Sequence, residues 1–178
     1  MKIHDYKLRS KHGFTLIEIL VGMALTGILI TGVVVTIFQV NVGTAQNENN
    51  MYALRQVQTA GYYISNDVLQ ARCIGLGVDD GFPLTLSWTD PNPDTGREYY
   101  VQYDYYSDTR ALTRTDLISN STTRVADSID STISFTENST GYFIFTVTAS
   151  MSGYQSASAT RTYEIEPRLE NVEIIDGT

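Results

Sequence analysis

The feature that most constrains this chain is an apolar run, FTLIEILVGMALTGILITGVVVTIFQV, over residues 14–40, in which Glu18 is the only charged side chain. As a helix it would span about 40 Å, enough to cross a hydrocarbon core of about 30 Å. The stretch before it is short and basic, with Lys2, Lys7, Arg9 and Lys11 set against Asp5. That flank places residues 1–13 in the cytoplasm and the carboxyl-terminal part outside. A chain of 178 residues then has room for one further domain.

Charge and chemistry divide at the same point. Residues 1–13 hold four basic groups and one acid, net +3, whereas the rest holds 8 Arg and 19 acids, net −11, with no Lys. Both histidines, His4 and His12, lie in the first segment, and Cys73 is the single cysteine. Beyond Phe14 a Ser-His-Asp or Cys-His apparatus cannot be assembled, nor a His-ligated metal site. One cysteine forms no internal disulfide. A surface at −11 repels phosphate backbones, so no direct nucleic-acid partner is expected. No cofactor is expected either.

Three readings of the apolar run compete. A cleavable secretory signal has an apolar stretch of roughly 7–15 residues, shorter than this one. A plain signal anchor fits the length but leaves Glu18 unexplained, since a carboxylate at a membrane helix centre costs about 2.5–3.5 kcal/mol. In the third reading the chain is cut between Gly13 and Phe14. Glu18, one turn from the new α-ammonium of Phe14, then pairs with that group on a neighbouring chain.

The segment KHGFTLIE, residues 11–18, with the long apolar helix behind it, resembles the class III signal of type IV prepilins and type II secretion pseudopilins. The resemblance implies cleavage between Gly13 and Phe14 by a membrane prepilin peptidase, N-methylation of Phe14, and a role for Glu18 in subunit recruitment or registry. Many family members carry a helix-loosening proline where this chain reads Val33-Val34-Val35; Gly27 and Gly32 are the expected substitutes, since glycine weakens a helix by about 1 kcal/mol. Gly22, Gly27 and Gly32 each precede a threonine by four residues, a spacing that lets helix backbones approach closely.

Residues 44–73 read as an amphipathic continuation of the helix. Leu54, Val57, Gly61, Ile64 and Val68 form one face, the polar knot 46–50 marks emergence from the membrane or a break between two helices, and Gly75-Leu76-Gly77 ends the helix. Period-two runs then predict strands at 84–88, 98–106, 111–114, 132–136, 142–149 and 160–165. In the second of these Tyr99, Val101, Tyr103 and Tyr105 share a face, and in 142–149 both faces look covered, as in a central strand. The expected class is α+β: one long helix, membrane-spanning in its first half and amphipathic in its second, packed on an antiparallel sheet. This order resembles the pilin fold, and more loosely the J-type minor pseudopilins and PilW-like minor pilins. The expected segments are a leader at 1–13, a transmembrane or filament-core helix at 14–40, its amphipathic continuation at 41–73, and an extracytoplasmic sheet domain at 74–178.

Other motifs are weaker. Asp90, Asn92 and Asp94 place oxygens at alternate positions, as a calcium loop does, but two prolines and a late glycine favour a plain hairpin loop. The tyrosines read mainly as strand packing, Cys73 as a small buried residue, and Asn120-Ser-Thr and Asn138-Ser-Thr as sequon-like matches. The resemblance makes the chain a minor pilin or pseudopilin, a structural subunit and not an enzyme. Its implied partners are the prepilin peptidase, other pilin subunits, and membrane lipid before assembly. The implied location is the inner membrane, with the amino terminus inside, and then a pilus or pseudopilus. The alternative is a tip or surface adhesin on the same anchor, binding through the Tyr-rich sheet.

Overall fold

The computed structural model describes residues 13–90, 96–139, 141–153, 156–168 and 173–176. The chain forms two compact units, Met1–Gly43 and Thr44–Thr178.

One helix, α1 (Leu16–Val68), runs through both units without a break at the polar knot 46–50. Within the first unit it is apolar and long enough to cross a membrane, and none of its most apolar stretch is buried. Thr26, Thr31 and Thr36 each donate their hydroxyl to a carbonyl four residues back, those of Gly22, Gly27 and Gly32, at 2.7–2.9 Å. This satisfies hydroxyls that hydrocarbon would otherwise leave unpaired.

The second unit wraps its sheets on the remainder of α1. The buried helix positions are Ala53, Val57, Ala60, Gly61, Ile64, Asp67 and Val68. The expected stripe is therefore present, shifted so that Leu54 is only half-buried and Ala53 takes its place. Each fully buried Ile or Val contributes roughly 1.5–3 kcal/mol, so this face carries the docking of the helix.

The strands are β1 (Cys73–Gly77), β2 (Gly81–Thr89), β3 (Glu98–Tyr106), β4 (Ala111–Asp116), β5 (Ser121–Ala126), β6 (Ser134–Glu137), β7 (Phe143–Met151), β8 (Ala157–Ile165) and β9 (Glu173–Asp176). They form two sheets, β5-β4-β3-β2-β1-β9 and β6-β7-β8, not one. All pairings are antiparallel except β1 with β9, which is parallel, so the larger sheet is mixed. The expectation that Gly75-Leu76-Gly77 ends the helix is corrected: the helix stops at Val68, and these residues lie in β1. The cause is competition for the backbone, since the Arg72 N–H donates to Ser87 O at 2.8 Å and already begins the β1–β2 pairing. Cys73 is half-buried on that strand, not buried near a helix end. β7 is central in its sheet, but only its Phe143, Phe145, Val147 and Ala149 face is buried; Ile144, Thr146 and Thr148 are half-exposed.

Both sheets share one apolar core with α1, including Leu84, Leu86, Val101 and Tyr103 from the larger sheet and Phe135, Phe143 and Phe145 from the smaller. Three close approaches fix the arrangement. Tyr163 of β8 lays its ring over Gly61 and donates its hydroxyl to Val57 O at 3.1 Å; a Cβ at position 61 would lie 2.1 Å from Tyr163 Cζ. Gly81 (φ +89°) lets the Phe135 carbonyl of β6 sit against the start of β2. Arg110, in the turn between β3 and β4, donates to the carbonyls of Ser128 and Ser150 at 3.0 Å and pairs with Asp130, tying the two sheets together.

Candidate functional site

The first turn of α1 carries the sequence-predicted site. Gly13 and Phe14 precede the helix, and Phe14 is 83% exposed. Thr15 stands at the cap position before Leu16, the first helical residue, and Glu18 is the third. The Thr15 N–H and hydroxyl both donate to Glu18 Oε2, at 3.0 and 3.1 Å, and the Glu18 N–H donates to Thr15 Oγ1 at 3.3 Å. This is a capping box, in which cap and third residue satisfy each other's orphan groups. A carboxylate in the first turn also sits at the positive end of the helix dipole.

Thr15 is the residue that sequence reasoning passed over. Its signal was in view, a Thr-x-x-Glu immediately before an apolar run. The box uses only Thr15 and Glu18, so it does not depend on anything before Phe14. All the carboxylate's bonds in it fall on Oε2, and Oε1 takes part in none of them. Glu18 is thus held in a fixed rotamer with one oxygen committed locally.

Residues 8–34 match the prokaryotic N-terminal methylation motif. The chain carries a type IV prepilin-type signal. The match spans 27 of the 178 residues, Gly13, Phe14, Thr15 and Glu18 among them, and leaves the sheet domain unassigned. No curated protein and no solved structure was found to match the chain. The prepilin-type amino terminus and a single apolar helix near it fit an inner-membrane-anchored protein, and one long helix packed on β-sheet is the arrangement of the pilin fold.

Elsewhere in this prepilin-type chain the sequence candidates scatter. Asn92 and Asp94 of the calcium candidate lie outside the described residues, and among the described residues no group of three His, Cys, Asp or Glu is placed to hold a metal. The tyrosines divide: Tyr103 is buried and Tyr99, Tyr105 and Tyr163 are half-buried against the core, whereas Tyr62, Tyr100, Tyr106 and Tyr142 are exposed. Asn120 and Asn138 both lie exposed in turns.

One buried polar cluster was not foreseen. Asp67, on the packed face of α1, accepts from Tyr103 Oη at 2.6 Å and from Arg114 Nε at 2.7 Å. Burial, then the Asp67 charge, pushes the Tyr103 hydroxyl far above its ordinary value. Burial also pulls Arg114 down, but the hydrogen bond and charge of Asp67 outweigh it and hold the guanidinium above its usual range. Both bonds fall on Asp67 Oδ2, so the cluster pins the helix to the larger sheet.

Proposed function

We propose that this chain is a minor pilin or pseudopilin, a structural subunit of a type IV pilus or a type II secretion pseudopilus. Residues 1–13 are a leader removed by a prepilin peptidase between Gly13 and Phe14, and Phe14 is then N-methylated. Residues 14–40 anchor the subunit in the inner membrane and pass into the filament core among other pilin subunits. The amphipathic continuation, ending at Val68, and the sheets form the part outside the membrane. The observation that carries this reading is the Gly13-Phe14 junction one helical turn from Glu18, inside the methylation motif.

The capping box refines the part played by Glu18. Oε2 closes the helix's own first turn, and Oε1 is the oxygen left to meet the new α-ammonium of Phe14 on a neighbouring subunit, which neutralises two charges in an apolar setting. A Cβ at Gly22, Gly27 or Gly32 would meet nothing within 4 Å in the single chain, so their use is in close approach by neighbouring helices or in loosening the helix.

Two substitutions separate capping from pairing. Glu18→Ala removes both, while Glu18→Gln keeps a side chain able to close the box but carries no charge. Both variants should be cleaved at close to the normal rate, and both should enter filaments on the order of tenfold less than the parent. Recovery of normal incorporation by Glu18→Gln would leave capping as the whole role of this residue and remove the charge-pairing step.

A further inference from the structure

The second unit is strongly acidic, yet two of its arginines converge on one cavity that the filament reading does not use. Arg72 follows the helix and Arg168 lies almost a hundred residues later, and both line a cavity of about 300 Å³ with Leu69, Trp88, Asn66 and Gln70. Among the described residues no Asp or Glu lines it. Of the carboxylates close to the lining residues, Asp67 is committed to Tyr103 and Arg114, Asp90 follows Thr89, and Glu173 is held beside Arg72 by its N–H donating to Arg72 O at 3.0 Å. Three other arginines of this unit, Arg110, Arg114 and Arg124, are paired with Asp130, Asp67 and Asp127. The cavity therefore gathers two guanidinium groups within a unit that is acidic as a whole.

Its walls are rigid. Trp88 stacks on Tyr99 across the β2–β3 pair, with ring centroids 5.4 Å apart and planes at 15°. Arg97 lies over the Tyr99 ring, its guanidinium carbon 5.2 Å from the centroid. This ladder holds the indole as one apolar wall, and Leu69 supplies another. Asn66 and Gln70 add side-chain amides. The Gln70 amide nitrogen already donates to Asn66 O at 3.1 Å, which turns the Gln70 amide oxygen into the acceptor available to a guest.

We propose that this cavity binds a sugar acid, one or two rings bearing a carboxylate. The two guanidinium groups take the carboxylate through charge-assisted hydrogen bonds, the indole and Leu69 take the apolar face of the ring, and the amides take hydroxyls. The volume lies at the lower end of ligand pockets, the size for a short saccharide and not for a folded partner. The site is independent of how the amino terminus is processed, so it stands or falls separately from the filament reading.

Trp88 is the only tryptophan in the chain, so in the folded protein the indole emission comes from a wall of this cavity. The full chain, in a nonionic detergent without a sugar headgroup, would be titrated with digalacturonate, with neutral maltose, and with inorganic phosphate. Digalacturonate should give a saturable change in emission that weakens as salt is raised; maltose should give none, and phosphate should compete only weakly. Arg72→Ala and Arg168→Ala should each weaken binding about tenfold, with the lysine variants falling between. Both arginines are exposed, and an unchanged emission maximum without ligand would show that the variants keep the fold. No saturable response to digalacturonate, an equal response to maltose, displacement by phosphate at matched concentration, or indifference to both arginine variants would overturn the assignment.

Discussion

Gly81→Ala is expected to abolish or severely weaken the folded second unit. Two independent penalties meet at this residue. Its φ of +89° lies where a side chain is strained, at a cost of roughly 1–2 kcal/mol. A Cβ would also stand 2.0 Å from the Phe135 carbonyl oxygen, and that neighbour is backbone fixed by the Phe135 N–H donating to Asp80 O at 2.8 Å. Relief would have to separate β6 from the start of β2, where the two sheets meet. The total, on the order of 2–5 kcal/mol, is a large share of the 5–15 kcal/mol that holds a typical domain together. Gly153→Ala is the control, since nothing lies within 4 Å of its Cβ. Thermal unfolding followed by Trp88 emission should show a large drop for the first variant and none for the second. Equal melting of the two would mean that the sheets are not locked at Gly81.

Asp67→Ala carries the second large effect. It strands a fully buried Tyr103 hydroxyl and a partly buried Arg114 guanidinium at once. Removing one member of a buried pair costs about 3 kcal/mol or more, whereas Tyr103→Phe, which removes one hydrogen bond, should cost about 1 kcal/mol. The cluster also has an alkaline signature. Tyr103 keeps its proton in the folded chain above pH 10, where the tyrosine of the unfolded chain begins to lose it. The stabilising contribution is therefore complete below about pH 10 and falls as the pH rises further, and Tyr103→Phe should flatten that decline. A pH-stability profile identical in parent and variant would contradict the burial of this hydroxyl.

What was legible in the sequence follows from how local each signal is. The anchor, its one acid and the helix stripe are written in contiguous residues, and β3 matches its predicted span, 98–106, because EYYVQYDYY alternates cleanly. β1 was lost because Gly75 and Gly77 stand at alternate positions, and two glycines mimic a helix stop when no side chains mark the outward face. β5 was lost because STTR is exposed on both faces and shows no apolar alternation. β9 owes its strand to a parallel pairing with β1, a hundred residues away, which nothing within EIID announces. The same distance hid the site features. Asp67 could have been flagged as a charge between Ile64 and Val68 on an apolar stripe, but its partners lie on β3 and β4. Arg72 and Arg168 become neighbours only when the chain is folded.

The prepilin reading depends on a proteolytic cut that creates an ammonium group one turn from Glu18. Intact-mass and amino-terminal spectrometry of the full chain, co-expressed with a prepilin peptidase or recovered from its own cell, tests this directly. The expected species begins at Phe14, lacks residues 1–13, and carries one added methyl group on its amine. A chain that keeps residues 1–13 in its working form would contradict it and leave a membrane-tethered domain with an unpaired acid.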